Sequence, residues 1–132
     1  VTTTQDVLEE LRQGVIDALG DSTPVVIDNS PVPDFASVWA RVVTTVDSAT
    51  VVTDPDRYRW SGQVLVSIYA PRASGDAAVL AKATAVQTAF RGWRSASPMI
   101  TVTSVSLVGT SVYGDGWSGR TVRLSWRADL PE

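Results

Sequence analysis

The sequence predicts an α+β fold: a mixed, mostly antiparallel sheet of four to five strands with two helices packed on it, in the order α-β-β-β-α-β-β. Three observations predict it. Two segments, Asp6 to Leu19 and Ser74 to Trp93, repeat apolar residues at helical spacing. Two others, Tyr58 to Ala70 and Trp117 to Leu130, alternate with the period of two that marks a half-buried strand. Pro, Gly and Asp clusters separate these segments as turns.

The first helix is predicted from Asp6 to Leu19, with Thr3 or Thr4 as cap and Asp6, Glu9 and Glu10 near its positive end. Leu8, Leu11, Val15 and Leu19 form its apolar stripe, and Gly20-Asp21 ends it. Val25-Val26-Ile27 reads as a short strand, and Asn29 to Asp34, with two prolines, as an extended loop. Ser37 to Val52 is rich in β-branched residues and breaks at Asp54-Pro55-Asp56. The strand from Tyr58 follows, so the two form an antiparallel hairpin with a charged tip.

That strand stops at Pro71 and opens into the second helix, with Ser74 as cap and Asp76 in its first turn. Val79, Ala83, Val86, Phe90 and Trp93 make the core-facing stripe. The alanines beside it, Ala77, Ala78, Ala81, Ala85 and Ala89, would let the helix lie close to a sheet or another helix. Met99 to Val112 is a strand with a bend at Gly109, Gly114-Asp115-Gly116 a hairpin turn, and Trp117 to Leu130 the last strand. Val122, Leu124 and Trp126 point one way there, and Arg123 and Arg127 the other.

A chain of 132 residues is expected to be one domain, 1–132, with a single core. It contains no cysteine and no histidine. Disulfides, thiolate zinc sites, cysteine nucleophiles and the histidine-dependent triads are excluded. With 11 basic and 14 acidic residues the net charge is −3, against general nucleic-acid binding. No apolar run approaches the ~20 residues of a membrane helix and no signal peptide is visible, so a soluble, cytoplasmically made chain is expected.

Asp54 and Asp56, with Asp47 nearby, could suggest a cation site, but carboxylates flanking a turn proline have a local backbone reason to be there, and calcium loops need more ligands. Gly114 to Gly116 precedes a strand, whereas a phosphate cradle needs a helix N-terminus. No cofactor or metal is expected, nor enzymatic activity. Trp39, Trp60, Trp117 and Trp126 lie on predicted strands. Trp126 alternates with the core set, while Trp60 and Trp117, near strand starts, fit core or interface. Ten of the 11 basic residues are arginine, which suits bidentate pairs across interfaces. The residues expected at an interface are Arg57, Tyr58, Arg59 and Trp60 on the hairpin arm, with Arg123 and Arg127 on the last strand.

Over nearly its whole length the pattern resembles the tail terminator proteins of long-tailed bacteriophages, prophages and gene transfer agents. The residues that carry the resemblance are Asn29 to Pro33, Trp39-x-Arg41-Val42, Gly62 leading through Ile68-Tyr69-Ala70-Pro71 to Gly75, Ala89-Phe90, and Asp115-Gly116-Trp117 opening the last strand. The resemblance implies a structural virion protein that forms a ring, a hexamer in this family. The ring caps the head-proximal end of the tail tube, ends tube polymerisation and joins the head-side connector. Implied partners are copies of itself, the tail tube protein and the connector, with DNA passing through the lumen and no membrane partner. The implied location is the virion tail, assembled in the host cytoplasm. The alternatives are another head-tail connector or minor tail protein, or a small-molecule binding domain, for which the sequence shows no cluster of converging Asp and Arg groups.

Overall fold

The computed structural model describes residues 4–21, 23–27, 37–51, 58–71, 77–95, 100–113 and 116–130, with backbone alone at 51 and 110–113. Helix α1 spans Thr4–Leu19 and ends at Gly20, whose φ of 87° suits a glycine that terminates a helix. Its buried side is Val7, Leu11, Val15 and Leu19. Val7 takes the place expected for Leu8, because it lies one turn before Leu11 while Leu8 is rotated about 100° around the axis and is only partly buried. The single lysine of the chain, Lys82, donates from Nζ to the Leu19 carbonyl at 2.9 Å and satisfies one of the free carbonyls at the helix end.

Strands β1 (Val25–Ile27), β2 (Trp39–Val51), β3 (Tyr58–Pro71), β4 (Ile100–Tyr113) and β5 (Trp117–Leu130) form one sheet in the order β1-β2-β3-β5-β4. β1 pairs parallel with β2, and the other pairs are antiparallel. The sheet is therefore mixed and mostly antiparallel, and the element order is the one the sequence predicts. Two hairpins, β2–β3 and β4–β5, lie side by side through an unbroken β3–β5 ladder from Tyr58↔Leu130 to Pro71↔Trp117. The register of β2–β3 shifts at Asp47, and that of β4–β5 at Thr103 and at Gly109, where φ is 44° and the expected bend is found.

Both helices cover one face. Val64, Val66, Ile68 and Ala70 of β3, with Val122, Leu124 and Trp126 of β5, meet Val7 to Leu19 of α1 and the buried side of helix α2 (Ala77–Phe90). In α2 that side is Val79, Ala83, Val86 and Phe90. Ala77, Ala78, Ala81 and Ala89, beside that side, are exposed. α2 ends at Phe90 and not near Trp93. Gly92 turns the chain at φ 71°, and Trp93 to Ser95 pair with the start of β4 through Val102 N–H to the Trp93 carbonyl and Ser95 N–H to the Ile100 carbonyl. The Asn29–Asp34 loop, the Asp54–Arg57 tip and the Ser74–Asp76 helix start lie outside the described residues. Among the described residues no helix is long and apolar enough to cross a membrane.

Candidate docking surfaces on the sheet

The face of the sheet opposite the helices is built by the same alternation that builds the core. On β3 the inward residues are Gly62, Val64, Val66, Ile68 and Ala70. The outward ones are Arg59, Ser61, Gln63, Leu65 and Ser67. Register brings Arg59 opposite Asp129, Ser61 opposite Arg127 and Leu65 opposite Arg123. Arg59, Arg123 and Arg127 therefore share the face away from the helices. Tyr58 and Trp60 alternate to the other side, where Trp60 packs against the margin of the core. The arm residues expected at one interface thus divide between two faces, and Arg57 lies outside the described residues.

Arg59 donates from Nε and Nη2 to the two carboxylate oxygens of Asp129 at 2.9 and 3.1 Å, a bidentate pair between neighbouring strands. The hydrogen bonds first, and the carboxylate charge next, raise the guanidinium pKa above its ordinary value. A raised cation stabilises the fold below its unfolded pKa and loses that contribution only as pH rises through the folded value, so the arginine side of this pair is constant across neutral pH. Both side chains are about two-fifths exposed, at 43% and 38%, and water screens the pair. Arg59→Ala is accordingly expected to leave the thermal midpoint close to that of the wild type, with no change in its dependence on neutral pH; scanning calorimetry at several pH values checks this.

Around this pair the open face is basic. A cleft of about 170 Å³ is lined by Arg59, Arg94, Thr101, Arg127, Ala128 and Asp129. Three guanidiniums thus meet one carboxylate, a convergence that the sequence did not show. The cleft is smaller than the ~300 Å³ from which small-molecule sites start, so it suits a carboxylate-sized group. A wider polar groove of about 350 Å³ continues from it along Ser61, Gln63 and Ser125. Farther along, Arg123 is half-buried, and its Nε is buried with no hydrogen-bond partner among the described residues. No group of three or more acidic residues placed to hold a metal ion occurs among the described residues.

At the opposite end the open face closes over an aromatic cluster. Trp39 and Tyr69 lie 4.8 Å apart between ring centroids, and Trp117 meets Trp39 edge-on at 6.0 Å. With Val26 they form a second small core, in which Trp39 is fully buried.

The sheet margin at β4 offers a different surface. Trp93 to Ser95 occupy its flank from Ile100 to Val102, and β5 pairs the other flank. From Thr103 onward the outer flank carries no paired strand among the described residues. β4 contains no charged residue and no proline, the usual means of blocking an edge, and exposes Leu107 and Val108. Its irregularities at Thr103 and Gly109 are the only blunting it shows among the described residues.

Alternation alone puts Arg123 and Arg127 on the face away from the core, and Arg59 stands out in the sequence only as part of the arm from Arg57 to Trp60. The sequence does not mark Asp129 and Arg94 beside them, because their place depends on pairing 70 residues away and on the turn after α2. The uncharged composition of β4 was visible as a signal, but its position at the margin was not.

No protein-family model matches this sequence, and no curated protein does. Solved structures match in fold. One, 21% identical, is matched over 99% of this chain and 100% of its own, with a TM-score of 0.71. Another is a chain of the "Virion of native gene transfer agent (GTA) particle", 17% identical, matched over 96% of this chain and 92% of its own, with a TM-score of 0.52. At these identities the likeness shows a shared fold.

Proposed function

We propose that the chain is a structural virion protein, a tail terminator whose ring, a hexamer, caps the head-proximal end of a tail tube, stops its polymerisation and presents a joint to the head-side connector. The observation that carries this reading is the fold shared with a gene transfer agent virion chain over 96% of the sequence. The surfaces support it. Copies that repeat around an axis need two different patches that fit each other, and the chain offers an arginine-bearing sheet face, an uncharged edge and a helical layer. The edge suits the tube, because a strand with free N–H and C=O groups can add to another sheet. The composition supports a role without catalysis, since no histidine or cysteine is present. Among the described residues the converging cluster of charge is the arginine cleft, and its carboxylate, Asp129, is already held in a bidentate pair by Arg59.

The test is polymerisation of the tail tube protein with and without this chain, read by electron microscopy. The expected result is short tubes bearing a ring at one end only. Rings without bound tubes, seated instead on isolated head connectors, would support the alternative of a head-tail connector. A variant with Ser106→Lys and Val108→Lys places like charges along the β4 edge. It is expected to keep its circular dichroism spectrum but to leave tubes uncapped; capping at wild-type level would remove the edge from the tube contact.

A further inference from the structure

We infer that the open arginine face of one copy receives the acidic face of helix α1 of the next copy. This inference deepens the reading above, from which it takes only that copies of the chain touch one another. Helix α1 places Asp6, Glu9 and Asp17 on one side, and Asp21 adds a fourth carboxylate just past the helix end. All four are exposed, and that side lies opposite the buried Val7, Leu11, Val15 and Leu19. The only base within the helix, Arg12, is turned toward the sheet, where Nη2 donates to Thr44 Oγ1 at 3.0 Å. The outer side of α1 therefore carries acidic and neutral residues and no base, with Gln13 between Glu9 and Asp17 donating to Asp17 at 2.9 Å.

The arginines sit on the other side of the molecule. Arg59, Arg94 and Arg127 line one cleft with Asp129, which answers one of the three charges. Arg127 and Arg94 are exposed, and no hydrogen bond or ion pair engages either side chain among the described residues. Arg123, nearer the middle of the face, holds a buried Nε that lacks a partner among the described residues. A carboxylate arriving from outside would satisfy donors that the fold leaves unmet.

Charge decides which contact forms. Two sheet faces brought together would oppose arginine to arginine, and two α1 helices would oppose acid to acid. Only helix against sheet pairs unlike charges, and that contact is head-to-tail. A contact between opposite sides of the subunit repeats, and gives a closed ring or a filament according to the rotation. The net charge of −3 hides this local polarity: acidic residues line the outer side of α1, and arginines line the cleft on the sheet face.

Two exposed double reversals test the contact by light scattering at low salt: Arg94→Glu with Arg127→Glu on the sheet, and Glu9→Arg with Asp17→Arg on the helix. The wild type is expected to associate and to lose association as salt is raised. Each reversal alone is expected to weaken association at least about tenfold. An equimolar mixture of the two is expected to restore it, because each acidic helix then finds a basic sheet and each basic helix an acidic one. Arg94→Gln with Arg127→Gln, which removes charge without reversing it, is expected to be intermediate and guards against a folding defect in the glutamate variant. Failure of the mixture to restore association, or a wild type that stays monomeric at low salt, overturns the contact. Association that survives both reversals unchanged also overturns it, while leaving the ring itself standing. Loss of the ring reading would show separately, as tubes that remain uncapped by the wild type.

Discussion

Gly62→Ala is expected to destabilise the fold by about 3 kcal/mol, at the upper end of overpacking substitutions, and to lower the thermal midpoint by roughly 10 °C. Gly62 faces the core in β3, directly opposite Trp126 of β5. A Cβ there would fall inside the radius of the Thr45 carbonyl oxygen and 2.9 Å from Trp126 Cζ2. The obstacle at Thr45 is the backbone of the paired strand, and Trp126 is 1% exposed, so neither moves aside cheaply. A glycine in a strand interior costs local order, and this one is kept because another backbone and an aromatic ring occupy its side-chain space. Gly119→Ala should behave alike, with the Ile68 carbonyl as obstacle and Tyr69 across the ladder. Gly116→Ala, which meets nothing within 4 Å, is the control and should leave the midpoint almost unchanged. Thermal unfolding of the three variants checks the set.

Trp39→Ala is expected to cost about 3–5 kcal/mol, as much as Trp126→Ala, although Trp39 is on the face that no helix covers. Both indoles are at most 1% exposed. Trp126 belongs to the main core, while Trp39 is the centre of the second cluster and holds Tyr69 and Trp117 at ring-contact distance. Trp117 is only partly buried, and its truncation should cost less. Urea unfolding gives the comparison through the midpoint and slope. A loss at Trp39 no larger than at Trp117 would mean that the aromatic cluster adds nothing to the fold and is free to serve an interface.

These two predictions also mark the limit of what the sequence disclosed. The element order, the β2–β3 and β4–β5 hairpins and the bend at Gly109 follow from local periodicity and turn chemistry, and they are found. The inward set of β3 and β5 follows from alternation, because a period of two has only two assignments once the apolar side is known. Helix phase was less sharp: Val7 and Leu8 lie about 100° apart on the wheel, either side of Leu11, and only packing against the sheet selects Val7. The β3–β5 ladder, which joins the two hairpins, is a long-range choice without a local mark. With it were hidden the Arg59–Asp129 pair, the cleft completed by Arg94, and the pairing of Gly62 with Trp126. The arm was read as one surface from Arg57 to Trp60, yet the alternation that identifies the strand also sends Arg59 and Trp60 to opposite faces.

The central claim is that the chain acts by assembly, as the cap of a tail tube. The most direct measurement is immunogold labelling of this chain on intact particles viewed in negative stain. The account predicts a single cluster of label at the junction of head and tail, and tails of irregular length without heads when the chain is withheld. Label distributed along the tube or over the capsid, or particles that carry none, would contradict it.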